Sequence, residues 1–308
     1  MTTPDPSRIA REGSLPQTRH LVVGFDGSPP AGEAVAWAAA EANLLDADLH
    51  IVLAAFYPAW IAQSGDLAPG VPQPLVAAVE GARHEAELLA AKTLDRSRVT
   101  SQIVNDNAGS ALTKASETAA AVVVGHRGRG AVTSALLGSV SVATVTHARC
   151  TVVVVRGAPG PRPAPRGVIA GVDGSSSSDK AVEYAAAFAA RRHAPLHVVA
   201  AWQEAPVMGW ESVYWEANVL QEWEQTMAAQ AEKVAATAAE QVRRAHPGLE
   251  VTAEAVNDRP VDALVHGSAD AELVVVGARG LGGFQRLLLG SVSRCVLHRA
   301  SSSVAVVR

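Results

Sequence analysis

Two stretches of this chain carry residues suited to holding an anion. One, Gly125 to Ser141, reads GHRGRGAVTSALLGSVS, and the other, Gly277 to Ser293, reads GARGLGGFQRLLLGSVS. Each follows an apolar run, AAVVVG or ELVVVG, with the character of a buried strand. Gly125, Gly128, Gly138 and Ser139 in the first stretch match Gly277, Gly280, Gly290 and Ser291 in the second, every pair 152 apart. Independent loops have no reason to share that spacing, so the chain is read as a tandem duplication. Glycines after a strand let a ligand approach the backbone closely, and Gly-Ser opens a helix whose first N–H groups lack intrahelical partners. Phosphate oxygens suit such a place, with the serine hydroxyl expected to cap the empty helix or to donate to a phosphate. The competing reading is a tight strand-to-helix connection with no ligand, which duplication of the whole loop disfavours.

A carboxylate accompanies each loop. Asp26 and Asp173 end the apolar segments VVGFDGS and IAGVDGS. A turn aspartate is the ordinary reading of either one alone. Recurrence beside a glycine loop favours the other, a carboxylate accepting hydrogen bonds from a ribose or a base. Known phosphate loops do not fit: GxxxxGK[ST] is absent, neither loop contains lysine, and the GxGxxG spacing fails at Thr133 and Gln285.

The elements that must position these groups alternate between strand and helix. HLVVGF leads to Asp26, and a helix follows with Ser28 as its cap and Pro29 and Pro30 in its first turn. Leu49 to Phe56 makes a second strand, followed by an irregular Pro- and Gly-rich stretch from Tyr57 to about Pro74. The order continues with a long helix to Arg96, a strand at Val99–Val104, a short helix at Ser110–Glu117, the strand ending at Gly125, the loop, a helix from Ser139, and TVVVVR. After a Pro-rich spacer, 157–166, the second copy repeats it. This predicts two doubly wound parallel α/β sheets of five strands each, as domains 20–156 and 167–308 behind a loose tail, 1–19. Ligands in such sheets sit at the carboxyl ends of the strands. Asp26 and Asp173 are 147 apart and the later landmarks 152, so five extra residues fall between the second and fourth strands of the second copy. Trp202, Trp210, Trp215 and Trp223 lie there, and we expect them to pack the long helix on the sheet.

Composition narrows the function. A chain of 308 residues with 48% hydrophobic and 18% charged residues, net charge −4 and pI near 6.2 gives no electrostatic case for nucleic acid or an anionic membrane. No apolar run approaches the roughly 20 residues of a membrane span, and the polar tail is not a signal peptide. Cys150 and Cys295 are not at matched positions and read as reduced thiols, so the cytoplasm is expected.

The combination VVGFDGS and IAGVDGS, GHRGRG and GARGLG, LLGSVS twice, and final strands ending VVVVR and VAVVR resembles the universal stress protein family in its tandem, ATP-binding form. The resemblance implies a Rossmann-like fold of the adenine nucleotide alpha hydrolase type. It implies ATP, with Mg2+ accompanying it, as the cofactor. Base and ribose would lie near Gly24, Asp26 and Ala54 in one half and near Gly171, Asp173 and Ala201 in the other. The phosphates would rest on Gly125, Gly128, Arg129, Gly138, Ser139, Val140 and Ser141, and on Gly277, Gly280, Gly290, Ser291, Val292 and Ser293. His126 faces Ala278 and Arg129 faces Leu281, so the sites need not bind equally. The implied role is a stress-response regulator that holds and senses adenine nucleotide, with slow or no hydrolysis and no catalytic residues, acting on an unidentified protein partner. The alternatives are a slow ATPase and a nucleotide-independent dimeric scaffold. The final strands are edge-capable; by resemblance they pair with each other inside the chain, with a homodimer beyond that.

Overall fold

The computed structural model describes residues 20–55, 73–128, 137–157, 167–203, 217–281 and 288–308. The expected tail, most of the irregular stretch and of the spacer, Trp210, Trp215 and Arg129 lie outside these residues. The first half runs β1 (His20–Gly24), α1 (Pro29–Leu45), β2 (Asp48–Ala54), α2 (Gln73–Ala90), β3 (Val99–Val104), α3 (Ala108–Ala115), β4 (Ala121–Gly125), α4 (Ser139–His147) and β5 (Thr151–Val155). The second runs β6 (Gly167–Val172), α5 (Ser176–Arg192), β7 (Leu196–Trp202), α6 (Ala217–Ala245), β8 (Val251–Asn257), α7 (Pro260–Gly267), β9 (Ala271–Gly277), α8 (Ser291–Arg299) and β10 (Ser303–Val307). Helix α2 stops at Ala90, short of the expected Arg96. Helix α3 begins two residues early because Asn107, not a serine, caps it by accepting the Gly109 N–H at 3.0 Å.

All ten strands share one sheet, in the order β3-β2-β1-β4-β5-β10-β9-β6-β7-β8. Pairing is parallel throughout except at the centre, where β5 and β10 run antiparallel with Val152 opposite Val306 and Val154 opposite Val304. The two expected five-stranded sheets are therefore halves of one sheet, and neither terminal strand is left as an edge. Valine-rich strands suit this position, because both faces are covered and the alternation sends side chains into two cores. Val123 and Val153 face a core with α1, α2, α5 and α6; Val122 and Val152 face another with α3, α4, α7 and α8.

Side-chain contacts also join the halves. Arg156, just past β5, donates to the Leu297 and His298 carbonyls at the end of α8. Arg308, just past β10, donates to the Val145 and Thr146 carbonyls at the end of α4. Each arginine thus supplies cationic donors to the negative end of the opposite half's last helix. Glu41 on α1, 2% exposed, is clasped by Arg191 and Arg192 of α5. Arg192 also pairs with Glu272 and lies 3.6 Å over the Phe188 ring, which stacks on Trp37.

Cys150 and Cys295 are free thiols, and burial pushes Cys150 up to about 11. Trp202 packs against the core as expected, whereas Trp223 on α6 is exposed, against expectation. Among the described residues no helix is long and apolar enough to cross a membrane.

Candidate nucleotide site

Strands β1 and β4 lie side by side, so their carboxyl ends bring Asp26 and the first glycine loop together. The turn after β1 is tight: Gly27 has φ of 79°, a conformation that favours glycine. Ser28 caps α1, accepting the Ala31 N–H at 3.4 Å, while its own N–H and hydroxyl donate to Asp26 Oδ1 at 3.0 and 2.6 Å. This hydrogen-bonded turn aims the carboxylate across the strand ends. The second half repeats it, with Gly174 at φ 83° and Ser175 capping α5 and donating its N–H to Asp173 Oδ1.

The glycines of the loop are required by close approach. A Cβ on Gly125 would stand 2.6 Å from the Pro30 carbonyl oxygen in the first turn of α1, and one on Gly277 would stand 2.5 Å from Ser177 Oγ. A Cβ on Gly128 would meet Asp26 Oδ2 at 2.4 Å, and one on Gly280 would meet Asp173 Oδ2 at 2.3 Å. The aspartate carboxylate therefore lies against the backbone of the loop, and in the second half its Oδ2 accepts the Leu281 N–H at 2.9 Å. The base of each loop is closed by backbone bonds, Gly138 N–H to the His126 carbonyl at 2.9 Å and Gly290 N–H to the Ala278 carbonyl at 2.8 Å. Gly24 and Gly171 have another role: a Cβ there would press on Leu112 of α3 or Leu264 of α7 at 2.9 Å.

The helix starts differ from expectation in one respect. Ser139 and Ser291 are the first helical residues and do not cap; the caps are Gly138 and Gly290, in extended geometry with no side-chain hydrogen bond. The serine hydroxyl comes one position too late to reach back over the helix end. The last serine of each motif is committed elsewhere, Ser141 Oγ donating to the Gly125 carbonyl at 2.7 Å and Ser293 Oγ to the Gly277 carbonyl at 2.6 Å. Each tie holds the helix start at the strand end with its N–H groups lacking a side-chain cap, the arrangement that favours an anion.

In the first half these parts line a cleft of about 740 Å3. Its amide-rich end is made by Gly125, Arg127, Gly128, Gly138, Ser139, Val140 and Ser141, and its other end by Gly24, Val52, Ala54, Ala55, Ala78, Val79 and Ala82, with Asp26 between them. A polar, amide-rich end next to an apolar end with one carboxylate between them matches a nucleotide in outline. His126, beside the loop, is held below its ordinary value by burial and by the neighbouring Arg156 charge. Asp173 is lowered too: burial pushes it up, but the donors from Ser175, Leu281 and Ser178 together outweigh that. The charged side chains among the described residues of the cleft are Asp26 and Arg127. Among the described residues no cluster of three or more His, Cys, Asp or Glu could hold a metal ion.

The sequence pattern of the universal stress protein family matches residues 17–156 and again 166–308. The chain belongs to the universal stress protein family. It is similar in tandem form to a universal stress protein of Mycobacterium tuberculosis, 36% identical over 306 residues that cover 94% of this chain and 96% of that one. A universal stress protein of Mycobacterium bovis is 35% identical over 311 residues, covering 96% and 99%. The crystal structure of a universal stress protein from Archaeoglobus fulgidus shares the fold at 18% identity, with a TM-score of 0.60 over 95% of this chain and 97% of that one. In this member of the family, the duplicated glycine loops found in sequence are therefore the matched strand-to-helix connections of two family repeats.

The residues that sequence reasoning passed over are Ala55, Ala78, Val79 and Ala82, which wall the apolar end of the cleft. Small apolar side chains give no chemical signal, and only the packing of α2 against β2 shows that they face a space.

Proposed function

We propose that the chain is an adenine-nucleotide-binding regulator of the stress response, holding ATP at the carboxyl ends of its strands. The observation that carries this reading is the conjunction in one cleft of the uncapped start of α4, the glycine loop and the Asp26 carboxylate beside an apolar wall. The amides of Val140 and Ser141 and the Arg127 side chain are suited to phosphate oxygens. The Asp26 carboxylate, anchored by Ser28, retains acceptor capacity for a ribose hydroxyl. The adenine ring then lies against Ala54, Ala55 and α2. ATP would supply charge to be sensed, and Mg2+ would accompany its phosphates. Fast hydrolysis is not part of the reading, since it requires a positioned water and a base, and Asp26 already serves the turn and the loop. The second half carries the same aspartate, glycines and helix start, so it holds nucleotide as well. A homodimer would form through a surface other than β5 and β10, which are paired within the chain.

Titration calorimetry with ATP, AMP, NAD and FMN tests the proposal. Saturable binding with ATP tightest is expected; tighter binding of NAD or FMN would overturn it. Mass spectrometry of small molecules released from protein purified without added nucleotide should find an adenine nucleotide.

A further inference from the structure

Resting on that reading of the clefts, the geometry points to two sites of unequal strength, with Trp202 and Val234 narrowing the base end of the second. The halves correspond residue by residue where this matters. Strand β2 pairs Ala54 with Val104, and β7 pairs Ala201 with Val256; 54 plus 147 is 201, and 104 plus 152 is 256. Trp202 therefore stands where Ala55 stands in the first half. Along the long helices, adding 152 to Ala86 and Ala90 gives Ala238 and Val242, and all four are buried. Val234 is therefore the counterpart of Ala82.

Ala55 and Ala82 both line the first cleft, and their small side chains leave its apolar end open. Their counterparts are larger and are not splayed into solvent. Trp202 and Val234 are partly buried and pack on the same core that α6 covers. Val234 leans over the turn that carries Asp173: its Cγ2 lies 3.5 Å from where a Cβ on Gly174 would be. The space beside β7 that corresponds to the adenine end is thus taken by an indole and an isopropyl group. At the phosphate end the glycines Gly277, Gly280 and Gly290 and the Ser293 tie repeat the first half, and the loops differ in sequence at His126/Ala278 and Arg129/Leu281. The second site keeps its grip on phosphates and loses room for the base.

Equilibrium titration of ATP into the whole chain reads the two sites as separate phases. The expected result is that the second ATP binds at least about ten-fold more weakly than the first, the scale of penalty for a misfitted group in an apolar pocket. Gly128→Glu, which forces a side chain into the space of the Asp26 carboxylate, should remove the tighter phase and leave the weaker one. In that background Trp202→Ala should strengthen the remaining site by a similar factor, and Trp202→Phe by less. Ala55→Trp in the otherwise native chain, which disturbs no packed indole, should weaken the tighter phase. Inorganic triphosphate, having no base, should show a smaller gap between the two sites than ATP does. Equal ATP sites in the native chain, or weaker binding after Trp202→Ala, would overturn the ranking while leaving the nucleotide reading in place. Absence of ATP binding at both sites would overturn the ranking and the nucleotide reading together.

Discussion

The two halves keep the same contacts at their glycine loops and differ along the seam where they meet. Asp26 with Gly128 and Asp173 with Gly280 make the same close contact, and Ser141 and Ser293 make the same tie. Beyond the loops, Glu41 of α1 has Phe188 as its counterpart in α5, and Leu44 and Leu45 have Arg191 and Arg192. This divergence is what lets the halves recognise each other. Glu41 needs the arginines of the opposite half; two first halves placed together would bury it against leucines, at the cost of an unpaired charge. The sheet and the loops repeat between the halves while the seam residues do not, and this favours pairing of unlike halves.

The largest expected effect breaks the likeness of the loops. Gly128→Glu should abolish ATP binding in the first half, and Gly280→Glu should abolish it in the second, each with unchanged far-UV circular dichroism. The reason is the same in both, since the carboxylate of Asp26 or Asp173 already occupies the space that a side chain needs and like charge would be added to it. Calorimetric stoichiometry should fall from two per chain to one in either variant. Loss of both sites in a single variant would show that the halves share one site.

Next comes the seam, where the halves differ most. Glu41→Ala leaves Arg191 and Arg192 without their buried partner, and urea denaturation should show a loss of about 3 kcal/mol, the lower range for one-sided removal of a buried ion pair. Phe188→Leu, at the matched position, removes the ring beneath Arg192 and the stack on Trp37, and should cost less. A Glu41→Ala chain as stable as the native one would mean that the seam is held by β5, β10 and the two terminal arginines alone.

A smaller effect tests what is equal. Ser141→Ala and Ser293→Ala should each lower stability by about 1 kcal/mol, the scale of one hydrogen bond whose carbonyl partner is left without its donor. The two losses should agree, because both hydroxyls are buried and make the same bond at 2.7 and 2.6 Å.

Much of this was legible in the residues and some was not, for physical reasons. Strand identity followed from runs such as AAVVVG and from the alternation with helices, because strands buried on both faces must be continuously apolar. The glycine and aspartate positions were legible because close approach and negative charge restrict residue type. Merging of the halves into one sheet through β5 and β10 was suggested by family resemblance; composition alone cannot say which edge an apolar strand will meet. The cap is Gly138 and not the expected Ser139, since a serine beside a glycine signals a helix start without fixing which residue adopts the extended conformation. The clasp of Glu41 by Arg191 and Arg192 spans 150 and 151 residues and leaves no local pattern. Ala55 and Ala82 were silent because an alanine looks the same whether it faces a cleft or a core.

The smallest effect sharpens the loop comparison through pH. Asp173 accepts N–H groups from Ser175 and Leu281, and in the folded chain its carboxyl is held below the ordinary value of 3.8 because these donors and Ser178 outweigh the effect of burial. A depressed carboxyl contributes stability that is present above the unfolded value, about 3.9, and is lost as pH falls through the lower folded value. The native chain should therefore exceed Asp173→Asn in stability at neutral pH, and the difference should shrink as the pH drops below about 4 and vanish once both states are protonated. Because the Leu281 amide closes on this carboxylate, its hydrogen exchange should quicken over the same window after correction for the intrinsic rate, before the core strand amides of Val274 and Val275 respond. If the gap between the native chain and Asp173→Asn stays constant down to pH 2, charge on Asp173 is not what holds the second loop, and the contact with Gly280 is a matter of shape alone.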